Sequence, residues 1–156
     1  MKNEFLKYLI IFLLSNNLFG QISNGTEFLN FALLTSKEKH LYISERNWRY
    51  VGVNRKKEDD YITEDVVYSK IENGITYELT LRGVLFYDGK IISITMLLIN
   101  DEKVYNSWVK KWKDSGIEFK KDPESEDKYM SFGDDFMIML EKIYEKGLTL
   151  YQISII

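Results

Sequence analysis

Cysteine is absent from the 156 residues, and proline and histidine occur once each. Without cysteine there can be no disulfide, no thiolate metal site and no lipid attachment at a lipobox cysteine. With His40 as the sole imidazole, a histidine-rich metal centre is impossible. A Ser-His-Asp arrangement would have to recruit that residue, which falls on a predicted helix beside Lys39 with no Gly-x-Ser-x-Gly elbow nearby. Pro123 is the only proline, and no low-complexity tract marks a linker. Phosphate loops and dinucleotide fingerprints are also missing. The net charge of −3 is mildly acidic, whereas a nucleic-acid partner requires a basic face to neutralise phosphates.

What is present begins with an export-like leader. Met1 to Gly20 has Lys2 and Lys7 in a charged start, then Tyr8-Leu-Ile-Ile-Phe-Leu-Leu14 as an apolar core, and Asn16-Asn17 before Leu18-Phe19-Gly20. This is the layout of a secretory signal peptide, and its apolar run is shorter than the about 20 residues a membrane-spanning helix needs. Cleavage is expected after Gly20. The ending Leu-Phe-Gly-Gln resembles export signals of gliding-type Gram-negative bacteria, which implies a periplasmic or extracellular address. Loss of residues 1–20 removes two lysines and one glutamate, taking the charge to −4 and leaving 136 residues. That length suits a single domain with its own core and no transmembrane segment.

The centre of the chain, Asp65 to Ile99, reads as three antiparallel strands joined at Asn73-Gly74 and Asp88-Gly89. Asn-Gly and Asp-Gly favour type I′ turns because both central residues must take positive φ. A two-residue first loop pairs Glu72 with Ile75, Lys70 with Tyr77, Tyr68 with Leu79, Val66 with Leu81 and Asp65 with Arg82. A two-residue second loop would pair Leu85 with Ile92, Gly83 with Ile94, Leu81 with Met96 and Leu79 with Leu98. Together these registers predict one buried face of Val66, Tyr68, Leu79, Leu81, Met96 and Leu98. A slip by one residue would send a strand's set to the other side. Gly83 in mid-strand suggests a bulge or a close approach.

Ahead of this meander, Phe28 to Leu34 gives an apolar helical turn or two. Thr35-Ser-Lys-Glu38 has capping-box spacing, predicting a helix from about Ser36 to Tyr50, with Gly52 as its stop. Arg55 to Tyr61 reads as a solvated loop. After the meander, Asn100 or Asp101 caps a helix to about Ser115. Val104, Tyr105, Trp108 and Trp112 share one side of it, and Gly116 ends it. Beyond an extended Ile117 to Phe119 and a loop from Lys120 to Lys128, turns at Gly133-Asp134 and Lys146-Gly147 predict a second meander. Its last hairpin pairs Tyr151 with Lys142, Ile153 with Leu140 and Ile155 with Ile138.

Shifting the chain by 64 residues superposes Glu38-Lys39 on Glu102-Lys103, Trp48 on Trp112, Gly52 on Gly116 and Val53 on Ile117. The expected fold class is therefore α+β, with antiparallel meanders each preceded by a helix. It would comprise two αβββ units, 26–99 and 100–156, packed as one domain over residues 21–156. In layout this resembles the tandem helix-plus-sheet units of the β-lactamase inhibitory protein and of PepSY domains. The likeness covers most of the chain after residue 20. It implies a protein that binds other proteins, proteases among them, in the bacterial envelope.

No residue emerges as a catalytic, cofactor-binding or metal site, and no cofactor is implied. Acidic clusters occur at Glu58-Asp59-Asp60, Glu64-Asp65, Asp122 to Asp127 and Asp134-Asp135. The third offers oxygens for calcium but lacks the order of an EF-hand loop. Asn24-Gly-Thr26 matches a glycosylation sequon and reads as a turn. Tyr61, Tyr87, Tyr129 and Tyr144 are expected near strand ends and exposed, while Trp48, Trp108 and Trp112 are expected in the core. Three functions stay open. The leading one is a non-catalytic envelope module that contacts another protein through a sheet face or aromatic rim. The others are a small carboxylate-dependent hydrolase and an apolar-ligand carrier with a cavity between helix and sheet.

Overall fold

The computed structural model describes residues 24–156; the leader expected at Met1 to Gly20 lies outside them. In chain order the elements are α1 (Gly25–Ala32), α2 (Ser36–Ser44), β1 (Arg49–Lys57), β2 (Tyr61–Glu72), β3 (Ile75–Phe86) and β4 (Ile91–Ile99). These are followed by α3 (Glu102–Asp114), β5 (Lys120–Lys121), β6 (Lys128–Phe132), β7 (Met137–Glu145) and β8 (Leu148–Ile155). The strands form one antiparallel sheet ordered β1-β2-β3-β4-β8-β7-β6-β5. The class is α+β. Four strands, not three, follow each of α2 and α3, because Arg49–Lys57 and Lys120–Lys121 both pair.

Each helix begins where a side chain can take up a free backbone N–H. Asn24 Oδ1 accepts from Glu27 N–H at 3.0 Å, so the sequon asparagine is a helix cap. Thr35 Oγ1 accepts from Glu38 N–H while Glu38 accepts from Thr35 N–H at 2.9 Å, the predicted capping box. Asp101 caps α3 through Val104 N–H at 2.9 Å, and Gly116 ends it at φ 90°. The expected end of α2 at Tyr50 is wrong. The helix closes at Ser44 because Asn47 takes the left-handed conformation, φ 58°. That leaves Trp48 outside the helix and Arg49 free to start β1, and Gly52 falls inside the strand beside a register shift. Arg55, Lys56 and Lys57, expected in a loop, are paired in β1 with Glu64, Thr63 and Ile62. The 64-residue superposition therefore matches unlike positions. Trp48 precedes a strand whereas Trp112 lies within α3, and Gly52 is in a strand whereas Gly116 stops a helix.

The first hairpin has every predicted pair, from Glu72 with Ile75 to Asp65 with Arg82. Its central residues have φ 52° and 78°. The last hairpin also has its predicted pairs across Lys146-Gly147. The second hairpin differs by one residue. Phe86 N–H donates to Lys90 O, Asp88 Oδ1 accepts from Lys90 N–H at 2.9 Å, and Gly89 takes φ 90°. The loop thus has three residues, Tyr87 to Gly89, with the glycine in the bulge position such loops require. Leu79 consequently pairs with Leu97 and Leu81 with Thr95. The predicted buried set is split. Val66, Tyr68, Leu79 and Leu81 lie on one face with Thr95, Leu97 and Ile99, while Met96 and Leu98 lie on the other. Gly83 is in continuous register between Glu64 and Ser93, without the expected bulge. The turn expected at Gly133-Asp134 falls one residue later, at Asp134-Asp135, closed by Gly133 N–H to Phe136 O.

The core lies on one side of this sheet. Phe28 and Phe31 of α1, Ile43 of α2 and Tyr105, Trp108 and Trp112 of α3 pack on Leu79, Leu97, Ile99, Ile138, Leu140, Ile153 and Ile155. Burying such a side chain stabilises by roughly 1.5–3 kcal/mol. α1 crosses α3 so closely that a Cβ on Gly25 would sit 2.8 Å from the Trp112 ring. Trp48 joins the same cluster. No helix among the described residues is long and apolar enough to cross a membrane.

Candidate binding surfaces

Because side chains alternate along a strand, the face opposite the helices is fixed by the same registers. On β2 and β3 it carries an ion pair. Arg82 Nε and a terminal guanidinium nitrogen donate to the two carboxylate oxygens of Asp65 at 2.6 and 2.7 Å. Hydrogen bonding to Asp65 raises the Arg82 pKa further. This is the predicted cross-strand pair, in bidentate form. Around it Asn54, Val67, Thr80, Met96, Leu98 and Gln152 border a shallow depression of about 300 Å³.

The distribution of methionine separates the two faces. Of five methionines, all but Met1 are on the uncovered face: Met96 on β4, Met130 on β6, and Met137 and Met139 on β7. Met130 pairs with Met139, and Ser154 stands in register between Met139 and Met96. Ser154 is completely buried between those long side chains and accepts a hydrogen bond from Gln152 at 3.1 Å. None of these four methionines belongs to the helix-side core. Tyr61 and Phe86, 5.6 Å apart, extend the apolar surface toward the far end of β2 and β3. Tyr87, Tyr129 and Tyr144 are exposed as expected, whereas Tyr61 is half-buried.

The second surface is a small cavity beneath α2. His40 is exposed, with its Nδ1 3.3 Å from the Tyr68 hydroxyl. Its neighbour Lys39 turns inward and is only 8% exposed. Lys39 Nζ donates to Thr95 Oγ1 at 3.0 Å, and desolvation lowers its pKa from the ordinary lysine value. Lys39 is the one buried charged residue among those described. The sequence reading overlooked it. The available signal was its position one turn inside a helix whose other lysine, Lys37, faces water.

Carboxylates do not converge. Asp65 is held by Arg82, Glu64 lies 3.6 Å from Arg55, and Asp122 lies 3.5 Å from Lys128. Asp122 also accepts from Glu124 N–H at 3.0 Å, so the acidic loop is organised around its own backbone. Among the described residues no three acidic or histidine side chains gather as a metal-binding group. The Glu38 pKa is lowered, first by the Thr35 hydroxyl and then by its backbone N–H. Burial pushes Tyr42 and Tyr105 up to about 12. Arg46 stacks 3.7 Å above the Tyr42 ring, and Tyr105 packs 4.8 Å from Tyr151.

Compared with known proteins, the chain matches no family model, and no curated protein or solved structure is significantly similar to it.

Proposed function

We propose that this chain is an exported, non-catalytic module that binds another protein of the cell envelope through the uncovered face of its sheet. The observation that carries the reading is the placement of Met96, Met130, Met137 and Met139 on that face. Methionine is flexible and polarizable, so a surface rich in it can reshape itself against a partner. The Asp65 and Arg82 pair on β2 and β3, to one side of Met96, supplies directional polar groups without an unpaired charge. An apolar surface broken by a few polar groups is what a protein interface requires at its centre.

The same considerations rank the alternatives. A carboxylate-dependent hydrolase needs convergent acids in a concave site, and among the described residues no aspartate or glutamate is buried. A carrier needs a large apolar space between helices and sheet; Phe28, Trp108, Leu79 and Leu97 are at most 1% exposed, and the cavity bordering α2 holds only about 170 Å³. We also read the halves 26–99 and 100–156 as related units meeting at the β4 and β8 pair. Support comes from a capped helix followed by a four-stranded meander in each.

The test is affinity capture from envelope extract by the mature protein and by a Met96→Lys, Met139→Lys double variant. Lysine can lay its stem along the surface and keep its charge in water, so the fold is expected to survive. A partner retained by the wild type, lost with the variant and rebuilt from purified components supports the reading. A partner bound equally by both moves the contact elsewhere. Hydrolytic turnover with no partner reverses the order of the alternatives.

A further inference from the structure

The cavity beneath α2 joins two features that packing alone does not account for. One is a charge without a counter-charge. Lys39 has Thr95 as its hydrogen-bond partner, and no acidic side chain among the described residues pairs with it. A buried ammonium is costly unless it is both hydrogen-bonded and neutralised. The second is an open space on the helix-side face, at the border where the buried Leu79 and Thr95 give way to the exposed Glu64, Leu85 and Ile91. Gly83 stands in unbroken register between Glu64 and Ser93, and a Cβ placed on it would meet nothing within 4 Å. Gly83 is thus the floor of a cavity of about 170 Å³ that Lys39 borders. That is room for about five waters at about 30 Å³ each, or for a small organic molecule.

The lining narrows the occupant. Ser36, Ser93 and Thr95 bring hydroxyl groups to the space beside the ammonium, while Val66 and Leu81 give it apolar walls. Glu64 is the one carboxylate bordering it and lies 3.6 Å from Arg55. Its charge disfavours a dianion such as hydrogen phosphate while leaving a monoanion acceptable. We propose that this cavity is a binding site for a short-chain monocarboxylate, its carboxylate on Lys39 Nζ and the serine hydroxyls, its aliphatic tail over Gly83 against Val66 and Leu81. The ligand completes the ion pair that the fold leaves half made.

The experiment is titration of the full chain with sodium butyrate at constant ionic strength, followed by amide chemical shifts. Saturable shifts centred on Gly83, Ser93 and Thr95 with a millimolar midpoint are expected for a ligand of so few atoms. Butyramide, which keeps the shape and loses the charge, should bind about tenfold more weakly or not at all, as the loss of a charge-assisted contact requires. Two variants guard against a fold effect. Lys39→Met removes the cation from a buried position and should abolish the shifts. Gly83→Val fills the floor with a residue that strands favour and should do the same while leaving Lys39 in place. The inference is overturned if these amides do not move, if Lys39→Met or Gly83→Val binds as the wild type does, or if sodium phosphate or chloride reproduces the shifts.

Discussion

The two faces of the sheet are made by alternate residues of the same strands, yet they differ in kind. On the helix side, Leu79, Leu97, Ile99, Ile138 and Ile153 are all fully buried against Phe28, Phe31 and Trp108. Stiff branched side chains there lock against aromatic rings. On the other side, the four methionines share the face with Thr80, Glu78, Gln152 and the Asp65 and Arg82 pair, and each methionine keeps partial access to water. The contrast separates two tasks. Cohesion is concentrated where the helices lie, and the opposite surface can change its composition with little loss of stability.

The largest effect that would break this contrast is in the helix layer. Trp108→Ala should cost about 3–5 kcal/mol in urea unfolding, since its ring is 1% exposed beneath α3. A loss below about 1 kcal/mol would mean that the aromatic layer does not hold the molecule together. The neighbours Leu97 and Leu98 give the sharpest comparison. Leu97→Ala should cost about 2–5 kcal/mol and Leu98→Ala less than about 1.5 kcal/mol. The reverse order would restore the register with a two-residue turn at Asp88-Gly89. Thr35→Ala removes the α2 cap and should cost about 1 kcal/mol, read as a lowered melting temperature.

The smallest effects concern pH. Tyr42 and Tyr105 have folded pKa values raised to about 12 from 10.0. Their contribution is complete below pH 10 and should be lost as pH rises toward 12, more weakly in a Tyr105→Phe variant. Glu38 has a lowered folded pKa, so its contribution is present above the ordinary value of 4.5 and lost as pH falls through the folded one. Glu38→Gln should flatten that acid limb. Lys39, also lowered, works against stability below its folded pKa, so Lys39→Met should be no less stable than the wild type at neutral pH.

Sequence was informative where one backbone conformation admits few residues. Asn73-Gly74 and Lys146-Gly147 each set a hairpin register correctly, and Thr35, Asp101 and Gly116 marked helix boundaries. It failed where two turn geometries accept the same dipeptide. Asp88-Gly89 suits both a two-residue loop and the second and third positions of a three-residue loop, and that ambiguity moved all of β4 to the wrong face. Gly52 was misread as a helix stop because a glycine in a strand and one after a helix look alike without their partners. The Lys39 cavity depends on residues from α2, β2, β3 and β4 meeting in space, which local patterns do not encode. Methionine on one face became visible only once β4 was placed.

An open sheet has two unpaired borders, and both are guarded. β1 carries Arg49, Arg55, Lys56 and Lys57 along one side, and β5 is only two residues long on the other. Like charges and a truncated rim discourage a foreign strand from adding on. Growth of the sheet by sideways strand addition is therefore discouraged at both borders.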